Sequence, residues 1–246
     1  MRLDLFLVEQ GFVKTRSQAA DLIKRGLVEV DGEIATKAGL EVTNPHINML
    51  EISRFVSRAG EKLMGAILDF NLSLTDKIMI DVGSSTGGFT DCALKAGIKH
   101  VFAYDVGDQQ LDSSLRGHPK ISLYEKTNIL DVELPFADMV TIDVSFTSVL
   151  PILAHFKGFS GEMVILIKPQ YEAGPIHFKQ GVLKDMKKHE KILYHVLEET
   201  RKLGFSIAGL KKSHLKGKMG NQEYILYVKN KPNEEHIPSL IRGVLC

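Results

Sequence analysis

The spacing of apolar positions changes twice along the chain. At the start, Leu3, Phe6 and Leu7, then Ala19, Leu22 and Ile23, recur at helical intervals, and Gly11 and Gly26 stop the two runs. Two short helices are expected there. Leu27 to Ala35 then alternates around Asp31-Gly32, the signature of a tight turn between two short strands. The result is an α+β module over residues 1–55, too small to be robust alone. Leu63, Ile67 and Phe70 return to helical spacing, with Ser57 or Gly60 near the start, so residues 50–58 read as a hinge before an amphipathic helix.

From Lys77 onward the apolar runs become nearly continuous. They fall at 77–82, 100–104, 121–124, 139–142 and 163–167, separated by helical patterns that include Phe146 to Phe156 and a long lysine-rich stretch from about Leu183 to Leu203. Strands apolar on both faces suit a buried parallel sheet. Ser206–Leu210 and Tyr224–Val228 follow with no helical pattern between them, as a closing antiparallel pair, and Pro232 to Cys246 reads as a short terminal helix. The expected fold class is α/β: a Rossmann-like domain with a seven-stranded sheet over residues 56–246, behind the small α+β module.

Composition narrows the partners. The 246 residues are 44% hydrophobic and 25% charged, and a net charge of +1 leaves no polybasic tail, so any RNA contact must come from local patches. Cys92 and Cys246 form no disulfide or metal-ligand framework, and His177 and His214 have no metal-like partners, so no metal is expected. No apolar run is long enough to span a bilayer, and Asp4 and Glu9 interrupt a signal-peptide pattern. A cytoplasmic protein with no membrane partner is the expectation. The sequence specifies no oligomeric state.

The segment that carries chemistry opens at the first long strand: Asp81-Val82-Gly83-Ser84-Ser85-Thr86-Gly87-Gly88-Phe89. This D-x-G-x-x-x-G-G-F spacing departs from the G-x-G-x-x-G of dinucleotide folds, and an acid at a strand end suits a cationic amine better than a phosphate. The glycines are expected to keep space clear for a ligand. Asp105 ends the next strand, where such folds place a carboxylate for ribose hydroxyls. The pattern resembles the S-adenosylmethionine (SAM) loop of Rossmann-like methyltransferases. That resemblance implies SAM as cofactor, bound by Asp81, Gly83, Ser84, Ser85, Thr86, Gly87, Gly88, Phe89, Asp105, Asn128, Ile129 and Asp143, with Asp131 as the other candidate after the third strand.

The first module resembles the S4 RNA-binding domain. It carries Arg2-Leu3-Asp4 at the start, Thr15-Arg16 opening the second helix, and Leu22-Ile23 followed by Gly26, Val28, Val30 and Gly32. The resemblance implies phosphate contacts from Arg2, Lys14, Arg16, Lys24 and Arg25, which would position RNA without reading its sequence. The lysines at 184, 187, 188 and 191, with 211, 212, 216 and 218 beyond, could extend such a face or simply be solvated.

A methyl acceptor remains to be chosen. Neither cysteine ends a strand, as a C5-pyrimidine methylase would need, and Asp143-Val144-Ser145-Phe146 lacks the prolines of exocyclic-amine methylases. Ionisable residues do stand at strand ends: Asp143 and Lys168, with Lys62 on the preceding helix and Glu223 opening the last strand. Parallel strands converge over one crevice at their carboxyl ends, which brings this set together. The set resembles the Lys-Asp-Lys-Glu tetrad of FtsJ-like ribose 2′-O-methyltransferases, and with the S4 pattern the chain resembles the TlyA (hemolysin A) family. That resemblance implies methylation of ribosomal RNA or ribosomal subunits, with Lys168 accepting a proton or positioning the 2′-hydroxyl and Lys62, Asp143 and Glu223 supporting it. Ala59 before Gly60 departs from the paired glycines usual in this family. A membrane-active hemolysin and a non-catalytic RNA-binding assembly factor are the alternatives.

Overall fold

A computed structural model describes residues 1–50, 54–173, 182–217, 219–229 and 235–245 of the chain. Contacts divide it into two compact units, Met1–Arg54 and Phe55–Cys246. Residues 51–53 of the expected hinge lie outside the described residues, as do His177, Lys218 and Cys246.

In the first unit, α1 (Leu3–Glu9) and α2 (Arg16–Lys24) pack on a three-stranded sheet of β1 (Val28–Val30), β2 (Glu33–Ile34) and β3 (Ile47–Met49). The Thr15 side chain accepts the Gln18 amide and so caps α2. Asp31 and Gly32 both take positive φ, 53° and 86°, as the tight turn between β1 and β2 requires. Leu3, Leu7, Ala19, Leu22, Ile23 and Val28 make the core. β3 was not expected from the sequence. It pairs antiparallel with β1 through Ile47, Asn48 and Met49, a run too short and too exposed to stand out as a pattern.

The second unit is a three-layer α/β/α domain around one sheet, in the order β6-β5-β4-β7-β8-β10-β9. β4 (Ile78–Val82), β5 (His100–Tyr104), β6 (Ile121–Tyr124), β7 (Met139–Ile142) and β8 (Glu162–Ile167) are parallel, while β10 (Tyr224–Lys229) runs antiparallel between β8 and β9 (Ser206–Lys212). α3 (Arg58–Asp69) and α4 (Gly88–Lys95) cover one face through Leu63, Ala66, Phe89 and Cys92. α5 (Leu150–His155), α7 (Met186–Lys202) and α8 (Ile237–Leu245) cover the other, through Ile152, Leu193, Val196 and Ile241. A single turn, α6 (Pro169–Glu172), follows β8 directly.

Two helices are shorter than their patterns suggest. The Phe146–Phe156 pattern yields α5 only from Leu150, because Phe146 takes φ 63° and the residues after β7 form a loop. Pro151 is tolerated because it falls in the first turn, where its missing amide is not needed. α7 starts at Met186 because Asp185 caps it, accepting the amides of Lys187 and Lys188. In the middle of the sheet Leu226 of β10 is fully buried between two neighbouring strands. Leu226→Ala should therefore lower unfolding stability by about 2–5 kcal/mol, read as a shift in the denaturant midpoint.

Candidate active site

The carboxyl ends of β4, β5 and β7 meet at the glycine loop. Gly83 takes φ 80°, and a Cβ there would lie 2.7 Å from the Asp143 carbonyl oxygen. At Gly87, with φ 87°, a Cβ would come 2.5 Å from Leu115 and 2.7 Å from Leu111; at Gly88 it would strike Ser57 and stand 2.8 Å from the Ala59 Cβ. The sequence suggested that these glycines leave room for a ligand. At all three positions the missing Cβ also makes room for neighbouring chain, which lets α3 close on α4 and the loop close on β7, while Gly83 lines both cavities at this edge. The Val56 amide completes this junction by donating to Asp91 on α4 at 2.9 Å.

Asp81 is fully buried and lines neither of the cavities at this edge. Its oxygens accept the Thr90 and Thr141 hydroxyls at 2.6 and 2.8 Å, binding β4 to α4 and β7. Burial pushes its carboxyl up from 3.8 to about 6, against those two hydrogen bonds.

Asp105 accepts the Ser85 amide at 2.8 Å and the Gly107 amide at 2.7 Å. It thus holds the glycine loop while facing a cavity of about 540 Å³, within the range of small-molecule sites. Gly83, Ser85, Asn128, Ile129 and Asp143 line this cavity with it; Asp131 does not. The Asn128 side chain caps a short helical turn through the Leu130 amide at 3.1 Å. Sequence reasoning missed Tyr104, Val106, Gln110 and the Ser145-Phe146-Thr147 stretch, which line the same cavity. Their position just past β5 and β7 was the available signal.

A second cavity of about 150 Å³ joins Ser84, Ser85, Thr86 and Phe89 to Asp143, Ser145 and Lys168. Lys168 Nζ stands 2.6 Å from Asp143 Oδ1, an ion pair without hydrogen-bond alignment, and donates to Ser145 Oγ at 2.9 Å. Lys62 and Glu223 form a separate, more deeply buried pair, 2.5 Å apart, that lines neither cavity. Among the described residues no hydrogen bond or ion pair joins the two pairs. The Ser84 hydroxyl is buried against the smaller cavity with no partner among the described residues. A buried hydroxyl of that kind calls for a polar group from a ligand, and an open strand edge carrying it beside Asp105 and Asn128 suits the amino-acid and nucleoside ends of SAM.

The first-unit cations are less free than the sequence suggested. Arg2 and Arg16 both pair with the buried Asp4, at 3.0 and 2.8 Å, and together hold its carboxyl far below the usual range. Arg25 stands 3.8 Å from Asp21. Lys14 and Lys24 are exposed, as are the arginines of the Asp4 cluster over about half of their side chains. In the second unit the lysines at 184, 187, 188 and 191 are exposed, and His214 pairs with Asp69 at 2.9 Å. Among the described residues no group of side chains is arranged to hold a metal, and no helix is long and apolar enough to cross a membrane.

Fold and site together define a Rossmann-like, SAM-dependent methyltransferase. The profile of the FtsJ-like methyltransferases matches residues 55–230, and that of the S4 domain matches residues 1–45. Hemolysin A of Brachyspira hyodysenteriae is 38% identical over 240 residues, covering 92% of this chain and 99% of that protein. The 16S/23S rRNA (cytidine-2′-O)-methyltransferase TlyA of Mycobacterium tuberculosis is 36% identical over 240 residues, 93% of this chain and 89% of its own. A solved structure carrying a hemolysin name, from Streptococcus thermophilus, superposes with a TM-score of 0.78 at 36% identity, over 100% of this chain and 94% of that one. The chain belongs to the TlyA (hemolysin A) family, in which an S4 domain accompanies an FtsJ-like methyltransferase domain.

The raised Asp81 carboxyl has a stability consequence. The folded state holds this proton more tightly than the unfolded state, so Asp81 lowers stability progressively as pH rises from about 4 to 6. Asp81→Asn should remove a contribution on the order of 3 kcal/mol from that slope, visible as denaturant midpoints of wild type and variant that diverge with pH in the variant's favour.

Proposed function

We propose that the chain transfers a methyl group from SAM to a ribose 2′-hydroxyl of ribosomal RNA, with the first unit supplying RNA affinity. The observation that carries this reading is the Lys168–Asp143 pair opening onto the same small cavity as the glycine loop. The relatives support it: TlyA proteins of Mycobacterium tuberculosis and Campylobacter jejuni are named rRNA (cytidine-2′-O)-methyltransferases, which makes a cytidine ribose the first acceptor to test. Only RNA offers a 2′-hydroxyl.

Bound at the strand edge, SAM supplies an electrophilic methyl group. The task left to the protein is alignment and the handling of one proton. In this reading Gly83, Ser84, Ser85, Thr86 and Phe89 cradle the cofactor's amino-acid end, while Asp105, Asn128 and Ile129 hold its nucleoside. Asp81, Gly87 and Gly88 act one layer back, by shaping the loop. Lys168 donates one hydrogen bond, to Ser145, and is ion-paired with Asp143 without a hydrogen bond, so donor capacity remains for the acceptor hydroxyl. Lys168 positions that oxygen, and the neighbouring Asp143 carboxylate is the nearest proton acceptor. Lys62 and Glu223 hold the wall behind them. The exposed ring of Phe146, at the mouth of the larger cavity, offers a stacking surface to a base. Arg2, Lys14, Arg16, Lys24 and Arg25 contact phosphates, and ribosomal RNA or ribosomal subunits in the cytoplasm are the substrate.

Labelled methyl transfer to purified ribosomal subunits tests the reading. Lys168→Ala should lower the rate by about 10²–10⁴-fold while SAM binding persists, and mapping should place the wild-type product on a ribose. Absence of transfer to either subunit, with SAM still bound, would sink it. In the first unit, Lys24→Glu should weaken RNA binding for all sequences alike and reduce the salt dependence of the binding constant by about one unit of slope.

A further inference from the structure

The turn that follows Lys168 grips the loop after β7 at several points. Glu172 is half-buried, and its carboxylate accepts the Ser148 hydroxyl at 2.6 Å and the Val149 amide at 2.9 Å. Tyr171 packs its ring on Phe146, with centroids 5.1 Å apart, and Lys168 donates to Ser145. Three residues of one short segment therefore hold residues 145, 146, 148 and 149.

That loop needs holding. Phe146 takes φ 63°, a left-handed conformation that bulky side chains rarely adopt, and its ring is 77% exposed. Neither backbone preference nor burial keeps it in place, so the surroundings must. Val144, Ser145, Phe146 and Thr147 all line the larger cavity, and Ser145 also lines the smaller one. The choice of a carboxylate at 172 is informative. Burial pushes its ionisation above the usual range, with the Ser148 and Val149 hydrogen bonds and His195 opposing, so an apolar residue would fill the site more easily. What an apolar residue lacks is a fork of two acceptors matched to a hydroxyl and an amide.

We propose that Glu172 is a positioning residue for methyl transfer, clasping the 144–149 loop so that Ser145 and Phe146 meet the acceptor nucleotide pre-arranged. The proposal rests on the function given above. Glu172 touches no reacting atom; it acts through the loop, and without it the loop must be ordered each time RNA binds.

The test uses the full chain as Glu172→Ala, Glu172→Gln and Ser148→Ala. For Glu172→Ala, kcat/KM toward ribosomal subunits should fall by about tenfold or more, chiefly through KM, while the SAM dissociation constant moves less than about threefold. Amide exchange over residues 144–149 should speed up by about tenfold, because the Val149 amide loses its acceptor. Glu172→Gln keeps an acceptor for Val149 and a partner for Ser148, so it should recover most of the loss, and Ser148→Ala should fall between. Wild-type RNA kinetics in Glu172→Ala, a Gln variant as impaired as Ala, or equal losses of SAM affinity and transfer would each overturn the proposal. If wild-type protein transfers no methyl to RNA, the functional reading fails on its own, and unchanged exchange over 144–149 in Glu172→Ala would independently dispose of the clasp.

Discussion

The close approach of Gly83 to the Asp143 carbonyl is the constraint on which the second unit's site depends. β4 and β7 are neighbours in the sheet, and their carboxyl ends diverge into the glycine loop and the loop bearing Ser145 and Phe146. Because nothing larger than hydrogen fits at residue 83, the two loops touch along their backbones, and the two cavities share a wall. Asp81 reinforces the junction from below by binding Thr90 and Thr141, and Asp105 fixes it from the side through the Ser85 amide. Much of what reads as a ligand-binding motif is thus a set of chain-to-chain contacts that give the binding surface its shape.

The four ionisable residues divide into two pairs with different settings. Lys168 and Asp143 open on a cavity, whereas Lys62 and Glu223 are buried and line neither cavity. Buried ion pairs are weak stabilisers, since the loss of hydration offsets the attraction, so stability alone is a poor account of two in one region. Alignment is a better one. Lys62 comes from α3 and Glu223 immediately precedes β10, so their pair joins residues 161 apart in the chain and fixes α3 against the edge where Lys168 emerges. In the first unit Asp4 plays a comparable part, drawing together Arg2, just before α1, and Arg16, which opens α2.

The central parallel strands were readable because they are largely apolar on both faces and bounded by turn residues, while the edge strand β6 is only partly buried. Val101, Met139 and Val140, for example, are fully buried, as their continuous runs imply. Short-range signals failed where long-range contacts decided the outcome. β3 exists because β1 offers it an edge. Phe146 looked like the start of a helix, but it takes a left-handed conformation, with Tyr171 packed on its ring and Lys168 and Glu172 bonded to Ser145, Ser148 and Val149 on either side of it. Glu172 carried no signal as a lone acid in Pro169-Gln170-Tyr171-Glu172; its meaning depends on Ser148 and Val149 lying beside it.

The sequence by itself determined the order of elements, the class of sheet and the residue types at each strand end, because these follow from local periodicity and from the convergence of parallel strands. Tertiary structure decided which of those residues face open space. Asp81 and Asp105 both end strands next to the same loop, yet one is sealed beneath it and the other lines a cavity. Arg2 and Arg16 are plain cations in the sequence and become a paired cluster only when folding brings Asp4 between them. Exposure and pairing depend on how distant segments close over one another, and a one-dimensional pattern does not encode that closure residue by residue.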